Sequence, residues 1–323
     1  MEPTVTVVVP TRRRAESLRL LLHGLAVQED PGVPWDLVLI DNDDEPGTAE
    51  KSAAEALAAL PVPHRVVVET KLGASNARNR GIAEATGSVV AFLDDDVVPD
   101  PDWLRNVTEP VLAGRCDGIG GRVELDRSVP VPRWCPQWLL PYLAEYGPAD
   151  HEVDLEKLPP GRLIEPYLLT ANCAFTAEIL ERCGGFDPVL GPRHRFQLTN
   201  DDLALCRDVR RVGGKIFYSP LPRVVHELPA SRLQRRYFLK RLHAQGRGDW
   251  LLEREVLSTA RSGGVRAGFM HLNADLKALR APNKMRPRHT WLAVSLVRRS
   301  GFMRESVAAL VRRRRGGQSS TQP

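Results

Sequence analysis

Cysteine is scarce in this chain of 323 residues: Cys116, Cys135, Cys173, Cys183 and Cys206 are scattered and form no C-x-x-C pair. That usage excludes a disulfide framework and a zinc ribbon, and it predicts reduced thiols, as in a cytoplasmic protein. No apolar run is long enough to span a bilayer. The opening MEPTVTVVVPTRRR has no basic stretch before its apolar run and no small-residue cleavage site, so it reads as a first strand and not a leader. No G-x-G-x-x-G follows that strand and no G-x-x-x-x-G-K-[ST] occurs anywhere, which excludes a dinucleotide fingerprint and a P-loop. Acidic residues are nearly missing from the C-terminal end. From Arg280 onward eleven Lys and Arg face one acid, Glu305, so the net +5 belongs to that end and the remainder carries −5.

The composition is otherwise that of a globular protein, 42% hydrophobic and 26% charged. The first hundred residues alternate between two periods. Apolar runs at 5–10, 36–42, 64–70 and 88–93 predict strands. Segments 15–28, 48–60 and 73–87 have helical spacing, the last closed by Gly87. Strands alternating with helices of this length predict an α/β fold, with a largely parallel sheet covered on both faces. A short helix over 100–114 and a glycine-containing strand over 116–125 follow. Residues 126–166 are rich in Pro and Trp and irregular, as functional loops within domains often are. A helix beginning at the Asp201-Asp202 pair, a glycine stop and a strand precede helical sequence over 231–280.

In such a sheet ligands bind at the carboxyl ends of the strands. Pro10-Thr11, Asp41-Asn42-Asp43 and Asp94-Asp95-Asp96 all fall on that edge. Three adjacent carboxylates repel one another. A hard divalent cation shared with substrate phosphates offsets that repulsion. The plainer alternatives are a polar strand end at Asp94–Asp96, a turn role for Asp41, helix capping at Asp201-Asp202 and a structural role for His226.

The ordered segments VVVPTRRRAESLRLLLHGL, LVLIDNDDEPGT, GASNARNRGIAEATGSVVAFLDDDVVPDPDWL, GGRV, ANCAFTAEILERCGGFDPVLG, DDLALCRDVRRVGGKIFYSP and VVHELPASRLQRRYFLKR resemble the family 2 glycosyltransferases of the GT-A fold, over about residues 4–250. The resemblance implies a mixed, mostly parallel sheet with helices on both faces, plus a C-terminal helical extension. It implies a catalytic domain over 1–228, with a nucleotide-binding half to about residue 125 and an acceptor half over 126–228. An extension over 229–315 and a disordered tail over 316–323 complete the chain. The implied reaction is inverting transfer of a hexosyl or hexosaminyl group from a nucleotide-diphosphate sugar, UDP first, with Mg²⁺ or Mn²⁺. Pro10, Thr11 and Arg12 would line the base pocket and Asp41 would accept a hydrogen bond from the base. Asn76 and Arg78 lie in a segment that approaches the nucleotide, although Arg78 equally reads as a packed helix-face residue. Asp94 would meet the ribose, Asp95 is the variable middle position, and Asp96 would ligate the metal with Asp94 and His226. Asp202 aligns with the general base, and a one-residue slip makes it Asp201.

Two other functions compete. A sugar nucleotidyltransferase would carry a glycine-rich loop after the first strand, where this chain has PTRRRAES. A non-catalytic nucleotide-sugar-binding scaffold would have lost the metal or base carboxylates, and both are present. Partners implied are a nucleotide sugar and a glycan, lipid-linked or small-molecule acceptor. Residues 289–315 form a basic, apolar-striped helix that either lies on an anionic membrane from the cytoplasmic side or packs on its own domain. Nucleic acid is not expected, since no motif or aromatic platform accompanies the arginines.

Overall fold

The computed structural model describes residues 4–158, 166–193, 196–254, 266–268, 270 and 288–318. The chain divides into two units. The first comprises Met1–Val131, Leu143–Pro188 and Asp201–Pro229; the second comprises Pro132–Tyr142, Val189–Asn200 and Ala230–Pro323.

The first unit is built on a mixed sheet. In chain order its elements are β1 (Val5–Thr11), α1 (Ala15–Ala26), β2 (Trp35–Asp41), α2 (Thr48–Ala58), β3 (His64–Val68), α3 (Ala74–Glu84), β4 (Val89–Leu93), β5 (Val97–Pro99), α4 (Trp103–Leu112), β6 (Gly118–Leu125), β7 (Val153–Asp154), β8 (Asn172–Thr176) and α5 (Ala177–Cys183). The short pair β9 (Pro192–Arg193) and β10 (Phe196–Gln197) belongs to the second unit. The first then resumes with α6 (Asp201–Arg211) and β11 (Ile216–His226). Strand order is β3-β2-β1-β4-β8-β6-β11-β5, with β7 also on β11. Strands β3, β2, β1 and β4 run parallel, as do β6 and β11. β8 is antiparallel between β4 and β6, and β5 is antiparallel to β11.

The strands read as unbroken apolar runs because both faces are covered. Val5, Val7, Val9, Leu37 and Leu39 pack with α1, α2 and α4 residues such as Leu21, Ala53 and Trp103. Val8, Val38 and Ile40 turn the other way, toward Ala77 of α3, Ile179 of α5 and Leu205 of α6. A Cβ on Gly81 would come within 2.2 Å of Val8 Cγ1, so only glycine lets α3 sit this close to β1. Trp103 is fully buried, and its indole donates to Asn172 Oδ1 at 2.8 Å.

The second unit contains α7 (Arg235–Leu252) and α8 (Arg288–Gln318). The two helices approach closely. A Cβ on Gly246 would meet Arg298 O at 1.7 Å, and one on Gly301 would meet His243 O at 2.0 Å. Arg298 Nε lies 2.5 Å from Asp249 Oδ2 and Arg247 Nε 2.6 Å from Glu305 Oε1. Along the apolar-striped helix expected here, Val294 is buried and Val307 is exposed. The packed side also holds Arg298, Phe302 and Glu305. For its described side chains, α8 therefore packs on its own unit. It also runs to Gln318, past the expected limit at Arg315, so the tail's first residues are helical. The helical sequence expected at 255–265, 269 and 271–280 and the tail at 319–323 lie outside the described residues. Trp134 packs edge-on against Phe238 at 5.3 Å, with Arg235 over its ring at 5.6 Å. All five cysteines are free thiols, and no helix among the described residues is long and apolar enough to cross a membrane.

Candidate functional site

Sheet register assembles the site. Thr11 stands opposite Asp41 at the ends of β1 and β2, and β4 ends at Leu93 with Asp94 next. After Asp94–Asp96 the chain forms β5, and the β5–β11 register puts His226 opposite Val97. Glu227 N donates to Asp96 O at 2.9 Å, which locks the end of β11 to the acidic turn.

The three aspartates have different surroundings. Asp95 is buried and satisfied: its Oδ2 accepts from Thr11 Oγ1 at 2.9 Å and Arg12 N at 3.2 Å, and its Oδ1 from Arg14 at 2.8 Å. Burial pushes its pKa up to about 7 against the pull of Arg14. Asp96 is also buried, with Arg14 at 2.5 Å on Oδ2 and His226 Nε2 at 3.4 Å from Oδ1. Asp94 is more open, 29% exposed, and its Oδ1 accepts from Arg78 at 2.7 Å. Arg14 was not among the sequence-derived candidates. The signal was the TRRR run beside three carboxylates, whose charge a cation or an arginine can offset.

Asp96 and His226, the two residues brought together here, are ligand types that divalent cations take. His226 Nδ1 lies 2.7 Å from Glu227 O, so in the neutral ring that nitrogen donates and Nε2 presents its lone pair to Asp96. Arg14, 2.5 Å from Asp96 Oδ2, already supplies positive charge to this pair, and a cation would add to it. Adjacent ligands on an octahedral Mg²⁺ stand about 3 Å apart, given metal–ligand distances of 2.0–2.1 Å. Among the described residues no group of three or more His, Cys, Asp or Glu is placed to hold a metal ion, so Asp94 does not join Asp96 and His226 in a ready ligand set. A cation here would therefore depend on substrate phosphates for most of its ligands.

Asp201 and Asp202 begin α6, where the helix N-terminus favours negative charge. Asp201 is buried and accepts from Arg78 at 2.8 Å through Oδ2. Asp202 is half-buried, and its Oδ1 accepts from the Thr170 hydroxyl at 2.6 Å. Burial, then the neighbouring Asp201 charge, pushes the Asp202 pKa up to about 7, with Arg78 pulling against both. Thr170 is a further addition, and its place in irregular sequence gave no signal.

Two sequence-derived candidates stand apart from these contacts. Asp41 is fully buried, and its oxygens accept from Asp43 N, Gly47 N and Ala49 N at 3.0, 2.8 and 3.3 Å, so its carboxylate organises its own loop. Asn76 donates to Leu72 O at 3.1 Å, one turn back. Pro10 is half-buried at the end of β1. The Arg12 guanidinium reaches Asp44 at 2.9 Å.

Comparison with known proteins bears on this edge. The family model described as glycosyl transferase family 2 matches residues 6–159. Glycosyltransferase AglE of Haloferax volcanii is 30% identical over 122 residues, 38% of this chain and 40% of that protein. The pre-mycofactocin glycosyltransferase of Mycobacterium tuberculosis is 27% identical over 69% of this chain and 42% of its own length. The chain thus spans about two fifths of each of these relatives. Among solved structures, the mannosyltransferase PcManGT of Pyrobaculum calidifontis, in complex with GDP-Man and Mn²⁺, superposes with a TM-score of 0.53 at 20% identity, covering 96% of this chain and 76% of that one. Residues 1–349 of Staphylococcus aureus TarS give 0.52 at 15% identity, covering 94% and 73%. Both share the fold, an open mixed sheet with helices, as expected for GT-A proteins.

Proposed function

The chain belongs to the family 2 glycosyltransferases through residues 6–159, and from that premise we propose that it transfers a sugar, with inversion, from a nucleotide-diphosphate donor to an acceptor hydroxyl. The observation that carries this reading is the pairing of His226 with Asp96 at the carboxyl edge of the sheet. There Asp96 and His226 would hold a divalent cation together with substrate phosphates, with Asp94 beside them on its Arg78 pair. Bound there, the cation would screen charge on the leaving diphosphate.

The chain's own groups divide the remaining work. Thr11 and the Arg12 backbone, fixed by Asp95, shape the floor of the base pocket, with Pro10 and the Asp41-ordered loop beside them. Asp202 is the general base. It is half-buried, held by one hydroxyl donor, and titrates near neutrality. Taking the acceptor proton as oxygen attacks the anomeric carbon gives a single displacement, and so inversion. Asp201, tied up by Arg78, is less available for that role.

UDP remains the first donor nucleotide to try. A relative named glucosyl-dolichyl phosphate glucuronosyltransferase, from Haloferax volcanii, is 25% identical over 54% of this chain, which makes a lipid-linked acceptor part of the proposal. A membrane would then be met through the outward Leu296 and Val307 of α8, since its other side is packed.

Calorimetric titration of UDP with and without Mn²⁺, on the wild type and on Asp96→Ala, tests the donor site. The expected result is metal-dependent binding that the substitution abolishes. Metal-independent binding, or no binding of UDP, GDP or dTDP, contradicts the proposal.

A further inference from the structure

We propose that Arg78 is a positioning residue that fixes the start of α6, and with it Asp202, relative to the donor-side carboxylate Asp94. The inference rests on the reading of Asp202 as general base. Of the two readings of Arg78, nucleotide contact and packed helix-face residue, it develops the second.

Arg78 sits on α3, the helix that Gly81 brings close against β1, and it is only 5% exposed. Its guanidinium divides its charged contacts. NH2 donates to Asp94 Oδ1 at 2.7 Å and NH1 to Asp201 Oδ2 at 2.8 Å. Nε is buried with no hydrogen-bond partner among the described residues, and the Phe186 ring lies 5.5 Å from Cζ. Asn79, the next residue, fixes that Phe: its Nδ2 donates to Phe186 O, and Phe186 N donates to its Oδ1, both at 2.8 Å. The same turn of α3 thus holds an aromatic wall and two carboxylates.

A planar guanidinium fixes distance and angle as a compact ammonium does not. Asp94 follows β4 and Asp201 begins α6, so their spacing is set by the fork between them. Asp202 is the next residue and inherits that placement. To reach a phosphate, Arg78 would have to give up either its buried pair with Asp201 or its part-buried pair with Asp94. A misplacement of about 1 Å at a base costs about 100-fold in rate, which is ample reason for a rigid spacer.

The test compares Arg78→Lys, Asp201→Asn and the double variant in the full chain. The readouts are UDP affinity with Mn²⁺, kcat on a nucleotide sugar found by screening, and Tm. Arg78→Lys is expected to keep UDP affinity within about threefold while kcat falls about 100-fold. Asp201→Asn should do the same, and the double variant should be no worse than either single. UDP affinity falling as far as kcat would overturn the proposal in favour of a nucleotide contact. A lowered Tm with kcat intact would leave only packing. If Arg78→Lys does not fold, Asp201→Asn decides by the same split. An active Asp202→Asn defeats the underlying base assignment, whereas an inactive Asp202→Asn with full kcat in Arg78→Lys defeats this inference alone.

Discussion

Asp202, half-buried at the start of α6, and Asp249, buried on α7, respond to burial in opposite ways. Asp249 receives Arg298 Nε at 2.5 Å, Asn200 Nδ2 at 3.0 Å and Gln245 Nε2 at 3.2 Å. These donors outweigh burial and lower its pKa below the ordinary carboxylate range. Asp202 has the Thr170 hydroxyl and a like charge beside it, and its pKa rises to about 7. The first arrangement suits a fastener, whose charge must never be lost. The second suits a group that takes up a proton near neutral pH and gives it back. The difference lies in the donors each residue meets, since the side chain is the same.

The sharpest way to break the comparison is to neutralise each acid in turn. Asp202→Asn keeps the shape and can still meet Thr170, but it cannot accept a proton. We expect kcat to fall by about 10⁴-fold, roughly 5 kcal/mol of barrier, with Tm unchanged or raised at pH 8. Steady-state kinetics beside a thermal melt would check both halves. A variant that melts lower and retains kcat would make Asp202 the fastener.

The converse change is Asp249→Ala. It leaves Arg298 buried without its carboxylate, a loss of about 3–5 kcal/mol, and it frees Asn200, whose backbone is left-handed at φ 78°. Denaturant unfolding should show the full loss. Arg298→Met with Asp249→Leu should recover much of it, because replacing a buried pair by apolar groups is often neutral or stabilising.

Much of the sheet edge was legible because it is local. Unbroken apolar runs, helical spacing and turn residues over 5–125 point to the strands, and strand polarity brings Thr11 and Asp94–Asp96 to one side. The departures are long-range. The antiparallel insertion of β8 between β4 and β6 depends on pairings about eighty and fifty residues apart, such as Phe92 with Cys173 and Gly120 with Cys173. Strand β5 has no counterpart among the expected elements, because three residues carry no periodicity. The Arg14–Asp95 and Arg78–Asp201 pairs span 81 and 123 positions, so the sequence left open whether Arg78 approaches a nucleotide or packs on its helix face. In α8 the spacing revealed a face but could not name its cover. Glycines at 246 and 301, which permit the close approach to α7, carry that information only once the helices are paired.

The smallest expected effect is the most discriminating, because it follows a single proton. As pH falls through about 7, Asp202 gains its proton and the base is lost, so kcat/KM should drop about tenfold per pH unit on the acid side. Stability should move the other way there. With its folded pKa above the unfolded value, Asp202 makes the fold less stable as pH rises from the ordinary carboxylate range to about 7. Asp249, with its folded pKa lowered, contributes stability that is complete above that range and is lost only as pH falls below it. Asp95, also near 7, adds to the slope of Tm against pH, but it is common to wild type and Asp202→Asn and cancels in their difference. That difference should therefore grow between pH 5 and 8 in favour of the Asn variant. The Asp249→Asn difference should be flat over the same interval. Melting curves at half-unit steps would show either the divergence or two parallel lines, and parallel lines would mean that the two aspartates are held alike.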